Sequence, residues 1–151
     1  PLAEGLRQRG KRITTVNGSF DLLHVGHLHL LREASRQGDV LIVGLNSDSS
    51  VKKLKGAHRP VNDEESRAFL LASFFFVDAV VVFGERTPYN VIRKIRPDVL
   101  VKGADYIPAE ISGYDLVTGY GGCVTTLPLL PGFSSSATEA RILCPADRKK
   151  T

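Results

Sequence analysis

The chain has 151 residues, 42% hydrophobic and 24% charged, with a formal net charge of +4. That composition fits one globular domain, residues 1–151, with a full apolar core, and excludes a disordered chain. It also excludes a membrane span, because the longest apolar stretch, residues 74–83, is broken by Asp78 and falls well short of the roughly 18 to 20 residues required. Cys123 and Cys144 form neither a disulfide framework nor a metal-ligand pairing, and PLAEGLRQRGKR lacks a signal-type apolar run, so a reducing cytoplasm is the expected compartment.

Strand and helix patterns alternate along the chain. RITTVN (12–17) is β-branched and ends at Gly18, as a first strand does. A helical pattern over 24–38 follows, with Leu28, Leu31 and Ala34 on one face and Gly38 as a stop. DVLIVGLN (39–46) is the continuous apolar run of a buried parallel strand. A basic loop leads to a helix over 62–75, with Asn62 as its cap, and to a third strand over 78–83. Thr87 and Pro88 open a helix over 87–96. A fourth strand (97–103), a weaker helix (113–122), a fifth strand (123–129) and a serine-led helix ending near Leu143 complete the series. This order predicts an α/β fold, a Rossmann-like three-layer α/β/α arrangement with a five-stranded parallel sheet, its core spanning about 11–143. Ligands of such sheets bind beyond the carboxyl ends of the strands.

The chemistry concentrates there. GSFDLLHVGH places Gly18 at the end of the first strand and His24 and His27 in the first turn of the helix. The free amides and positive dipole end of that turn make an anion site, and two imidazoles three residues apart can donate to phosphate oxygens. Gly26 between them keeps the approach clear. Zinc is the competing ligand, but nothing nearby completes a metal site; a purely structural pair is the other alternative. The dinucleotide fingerprint and the Walker A motif are both absent.

GSFDLLHVGH, with FSSS (133–136) before the last helix, resembles the two signatures of the nucleotidyltransferase superfamily, the cytidylyltransferase-like group with its H-x-G-H motif. Within it, GDVLIVGLNSDSSVKKLKGAHRPVN and RPDVLVKGADY look most like the heptose 1-phosphate adenylyltransferases of lipopolysaccharide and surface-glycan synthesis. The resemblance implies transfer of AMP from ATP to a heptose 1-phosphate, with Mg²⁺ held mainly by phosphates. It makes His24, His27 and Lys55 the catalytic candidates. Gly18, Ser19, Phe20, Gly26, Lys53, Arg67, Ser134, Ser135 and Ser136 become nucleotide or phosphate contacts. Asp21, Asn46, Asp48, Lys102, Gly103 and Asp105 become substrate contacts. Arg67 is open to two roles, phosphate binding or holding the loop. ATP and a sugar 1-phosphate are the expected partners, with a separate sugar kinase in the same route and a homodimer or higher homo-oligomer suggested by SFFF (73–76). A cytidylyltransferase for glycerol 3-phosphate is the nearest alternative; a nucleotide-sensing or nucleic-acid-binding module is the non-enzymatic one. Nucleic acid is not expected, because aromatics do not interleave with the dispersed basic residues.

Overall fold

The computed structural model describes residues 2–143. Cys144 and the basic tail lie outside them. Strands β1 (Ile13–Gly18), β2 (Val40–Asn46), β3 (Ala79–Phe83), β4 (Val99–Gly103) and β5 (Cys123–Leu127) are all parallel, in the order β3-β2-β1-β4-β5. Helices α2 (Val25–Ser35) and α4 (Glu64–Ala72) cover one face, burying Leu31, Ala34 and Leu71 against Val16, Val43 and Val101. The other face carries α1 (Leu2–Gln8), α5 (Tyr89–Ile95) and α6 (Tyr114–Gly119), packed on Ile13, Ile42 and Leu100. Side chains alternate between faces along each strand, so Val16 and Asn17 of β1 serve opposite layers. The expected three-layer arrangement is therefore present. Two helices, α3 (Asp48–Lys55) and α7 (Ser135–Leu143), follow the carboxyl ends of β2 and β5.

Several sequence expectations need correction. Residues 48–55 form α3 rather than a basic loop, because Ser47 caps it by accepting from the Ser50 amide. The next helix starts at Glu64, with Asp63 and not Asn62 as cap, and stops at Ala72 before the aromatic run turns. Thr87 does not cap α5, whose Pro88 start carries no side-chain hydrogen bond. The first motif helix ends at Ser35, short of Gly38. Residues 2–8, left without an element in the sequence reading, are helical.

The strand starts are tied by a repeated device. Asp39, Asp78 and Asp98 each stand just before a strand. Their carboxylates accept from the amides of Arg12 (2.8 Å), Leu41 (2.8 Å) and Ile13 (2.7 Å) on the neighbouring strand or just before it. Each aspartate amide donates back to the same residue's carbonyl, at 2.8, 3.0 and 2.9 Å respectively. These reciprocal pairs pin the parallel register at the amino end, leaving the carboxyl ends free to diverge into binding loops. Asp98→Ala, which leaves the Ile13 amide without its acceptor, is expected to cost about 1–3 kcal/mol, read by urea unfolding.

Candidate active site

The site starts at the β1–α2 turn. His24 is the N-cap of α2: its Nδ1 accepts from the amides of Gly26 (3.1 Å) and His27 (3.4 Å). His27 Nδ1 reaches back to accept from the His24 amide at 3.3 Å, closing a capping box built from two imidazoles. The rings stack, with centroids 3.8 Å apart and planes 21° from parallel. Because both Nδ1 atoms accept, each neutral ring carries its proton on Nε2. Burial lowers the pKa of His24. His27 falls to about 4, through burial first and then the charges of His24 and Lys55. Near pH 7 the pair is therefore two neutral Nε2–H donors. Gly26 makes the fold-back possible, since a Cβ there would lie 2.9 Å from the His24 ring and 3.1 Å from Phe133 Cβ.

His27, but not His24, lines a cleft of about 210 Å³ at the strand ends. It shares that cleft with Gly18, Ser19, Phe20, Lys55, Lys102, Gly103, Asp105 and Ser135. A second cleft of about 300 Å³ opens on the α5 face and shares Asn17, Gly18, Ser19, Lys55, Lys102 and Tyr106 with the first. Asn46 and Arg86 complete its polar wall. Burial and Arg59 lower Lys55; burial and Lys55 lower Lys102, against Asp105. Phe20, buried with φ +44°, sets its ring edge against His27 at 5.3 Å. A wider apolar groove of about 430 Å³ between α1 and α5 shares no residue with either cleft.

Other sequence candidates are committed to contacts within the protein. Arg67 is fully buried, and its guanidinium donates to the carbonyls of Ser19 (2.7 Å), Asn46 (2.8 Å) and Asn62 (2.9 Å) and to the Asp48 carboxylate (2.8 Å). Of the two roles left open for it, holding the loops is the one its geometry serves; phosphate contact is not. Asp21, also buried, accepts from the amides of Val61 and Asn62 and pairs with Arg59 at 3.2 Å. Its carboxylate is spent on the 59–62 loop and lines neither cleft. Asp48 is likewise committed, its amide donating to Glu64 at 2.8 Å. The Asn46 side chain donates to Ser50 Oγ at 3.0 Å. Ser134 is an N-cap, accepting from the Ala137 amide at 3.0 Å, while Lys53 and Ser136 are exposed and line neither cleft. Sequence reasoning missed Asn17, Arg86 and Tyr106 as lining residues. The only available signal was a polar residue at the end of the β-branched run before Gly18.

Among the described residues, no group of three or more His, Cys, Asp or Glu side chains could hold a metal ion.

An open parallel sheet with a helix N-terminus, the His27 imidazole and two lysines converging at its carboxyl edge defines a nucleotide-handling α/β domain. Residues 15–136 match the cytidylyltransferase-like family, and the chain belongs to it. It is 55% identical over 140 residues, 93% of its length, to the bifunctional protein HldE of Acidiphilium cryptum (strain JF-5). It is 50% identical over 137 residues, 91% of its length, to the bifunctional protein HldE of Syntrophotalea carbinolica (strain DSM 2380 / NBRC 103641 / GraBd1). The chain spans 29% and 28% of those two relatives. The crystal structure of the lipopolysaccharide core biosynthesis protein from Thermoplasma volcanium GSS1 superposes with a TM-score of 0.64 at 27% identity, covering 80% of this chain and 98% of that one.

Two outcomes are expected. Arg67→Ala removes a buried cation that joins four segments, and should destabilise the fold by about 3–5 kcal/mol, measured by chemical denaturation. Long-range ¹⁵N–¹H NMR at pH 7 should show Nε2–H tautomers for both histidines, with His27 titrating near pH 4. The folded pKa lies below the unfolded value of about 6.5, so the unfolded chain binds the proton more readily. Stability should therefore fall as the pH drops from about 6.5 towards 4.

Proposed function

We propose that this chain transfers AMP from ATP to D-glycero-D-manno-heptose 1-phosphate, giving ADP-heptose and pyrophosphate for lipopolysaccharide or surface-glycan precursors. The observation that supports the reading best is the His24–His27 capping box, which fixes His27 as a neutral donor lining one cleft with Lys55 and Lys102. The names of the similar HldE proteins and of the Thermoplasma fold neighbour support the pathway.

An oxygen of the sugar phosphate attacks the α-phosphorus of ATP in line. A new P–O bond forms, the bond to the bridging oxygen breaks, and the electron pair leaves with pyrophosphate. The attacking phosphate is already ionised near pH 7, so no general base is required; neutral imidazoles suit the task of donating to the equatorial oxygens. Lys55 and Lys102 offset the repulsion between the two anions. Mg²⁺ fits this donor set as an ion that keeps its waters and takes phosphate oxygens, with Asp105 the carboxylate lining the His27 cleft. Bound there, it would supply positive charge against the phosphates.

A sugar kinase supplying the heptose 1-phosphate belongs to the proposal, as does a cytoplasmic location; no described helix is long and apolar enough to cross a membrane. Self-association is also part of it: Phe69 and Phe75 are 75% and 94% exposed beside edge strand β3, and sedimentation of the purified chain tests it.

Pyrophosphate release should occur with ATP and heptose 1-phosphate, and His27→Ala should lower kcat by about 10²- to 10³-fold with little change in KM for ATP. Turnover with CTP and glycerol 3-phosphate would move the chain to the cytidylyltransferase branch. ATP binding without turnover on either acceptor would favour a sensing module.

A further inference from the structure

Helix α7 turns a polar face to the body of the domain. Its half-buried residues are Ser135, Thr138 and Glu139, spaced for one side of the helix, while Ala137, Ile142 and Leu143 stay exposed. No residue of α7 is fully buried, and none joins an apolar cluster. Surface helices ordinarily dock through an apolar stripe, so this one is seated by other means. Among the described residues, two polar contacts join α7 to the rest of the chain. Ser135 Oγ donates to the Leu22 carbonyl at 3.4 Å, and Arg59 Nη1 donates to Glu139 Oε2 at 3.4 Å. The two points lie about 6 Å apart along the helix axis. A helix held at its first residue alone can swing; a second point one turn on fixes its tilt.

Arg59 is a firm anchor for that second point. Its side chain is buried, and its Nε meets Asp21 Oδ2 at 3.2 Å. Asp21 also accepts from the amides of Val61 and Asn62, so the cation is fixed between the β1–α2 turn and the loop after α3. One carboxylate already balances the Arg59 charge. Glu139 is a second one, 31% exposed, and what it adds is a hold on α7. That hold reaches the cleft, because Ser135 lines it with His27 and Lys55.

We propose that Glu139 is a positioning residue for the nucleotide: paired with Arg59, it seats α7 and so keeps Ser135 in the wall of the His27 cleft. The inference rests on the adenylyl-transfer reading, in which His27 donates to the phosphates of ATP. A partly exposed ion pair shifts an equilibrium by up to about fivefold, so it tunes nucleotide affinity without deciding whether the chain folds.

Steady-state kinetics and hydrogen–deuterium exchange on the full chain test it. Glu139→Ala should raise KM for ATP about three- to fivefold with kcat within about twofold, as loss of a contact made equally before and during transfer does. Glu139→Gln, which keeps an acceptor for Arg59, should fall between. The gap between wild type and Glu139→Ala should narrow as salt rises from about 0.05 M to about 0.5 M, because the pair is screened. Exchange over residues 133–143 should be faster in Glu139→Ala and unchanged elsewhere, and saturating α,β-methylene-ATP with Mg²⁺ should slow it less than in wild type. Faster exchange with KM unchanged makes Glu139 a tie for the helix only and overturns the positioning role. Unchanged exchange, a loss confined to kcat, or no effect of the analogue on wild-type exchange overturns it too. A wild-type chain that binds the analogue but releases no pyrophosphate overturns adenylyl transfer, and the exchange with and without the analogue then decides the role of Glu139 by itself.

Discussion

The site depends on one buried cation. Parallel strands end with their carbonyls pointing into the same space, and at β1 and β2 two of these, Ser19 and Asn46, meet the loop carbonyl of Asn62. Without a donor this crowd of oxygens would repel an anionic ligand and one another. Arg67 supplies a planar fork that a lysine could not, binding all three carbonyls and Asp48 at once. Its burial would be prohibitive for an unpaired charge, but here the oxygens it satisfies are the ones that make it tolerable. With that charge absorbed below the cleft, the amides of α2, His27 and Lys55 set the field above it. Arg67 thereby acts on ligands without touching them.

The same economy governs the α2 start. Aspartate would cap the helix through an acceptor-only carboxylate and leave no donor over. An imidazole caps through Nδ1 and keeps Nε2–H as a donor, so fold and chemistry draw on the two nitrogens of one ring. Stacking against His24 fixes the plane of His27, and Phe20 closes its edge. The depressed His27 pKa follows from this packing: a proton on Nδ1 would abolish a cap and bring charge into a site already facing Lys55.

How much of this was readable in the sequence depended on range. Apolar runs such as DVLIVGLN and the punctuation at Gly18 are local, and β1 to β5 fall where those patterns lie. GSFDLLHVGH spans ten residues, so the helix start with its two imidazoles in the first turn was legible too. Helix ends were less so: Asn62 and Asp63 are both good caps, and only the Ser66 amide decides between them. Long-range commitments were not legible. Asp21 looks like a ligand residue until the 59–62 loop folds over it, 40 residues along. Arg67 had two readings because nothing local says where its partners lie. Arg59 and Glu139 gain meaning only from a contact between residues 80 apart in the chain, which no periodicity reports.

Lys55 marks where these constraints converge. It sits in the last turn of α3, whose start is held by Arg67 through Asp48 and by Glu64 through the Asp48 amide. Its charge is felt by His27 on the α2 side and by Lys102 on the other, so the two clefts are electrically joined through one ammonium group. Lys55 and Lys102 are each held below the ordinary lysine range, by desolvation first and then by positive neighbours. A polyphosphate entering one cleft relieves the repulsion felt in the other. Because both clefts draw on the same two lysines, it also weakens their pull on a second anion, so charge alone leaves part of the repulsion between two anions standing. For the proposed transfer, in which two anions must meet, the remaining repulsion falls to the uncharged donors of the α2 turn, its free amides and the His27 imidazole, which no anion can neutralise.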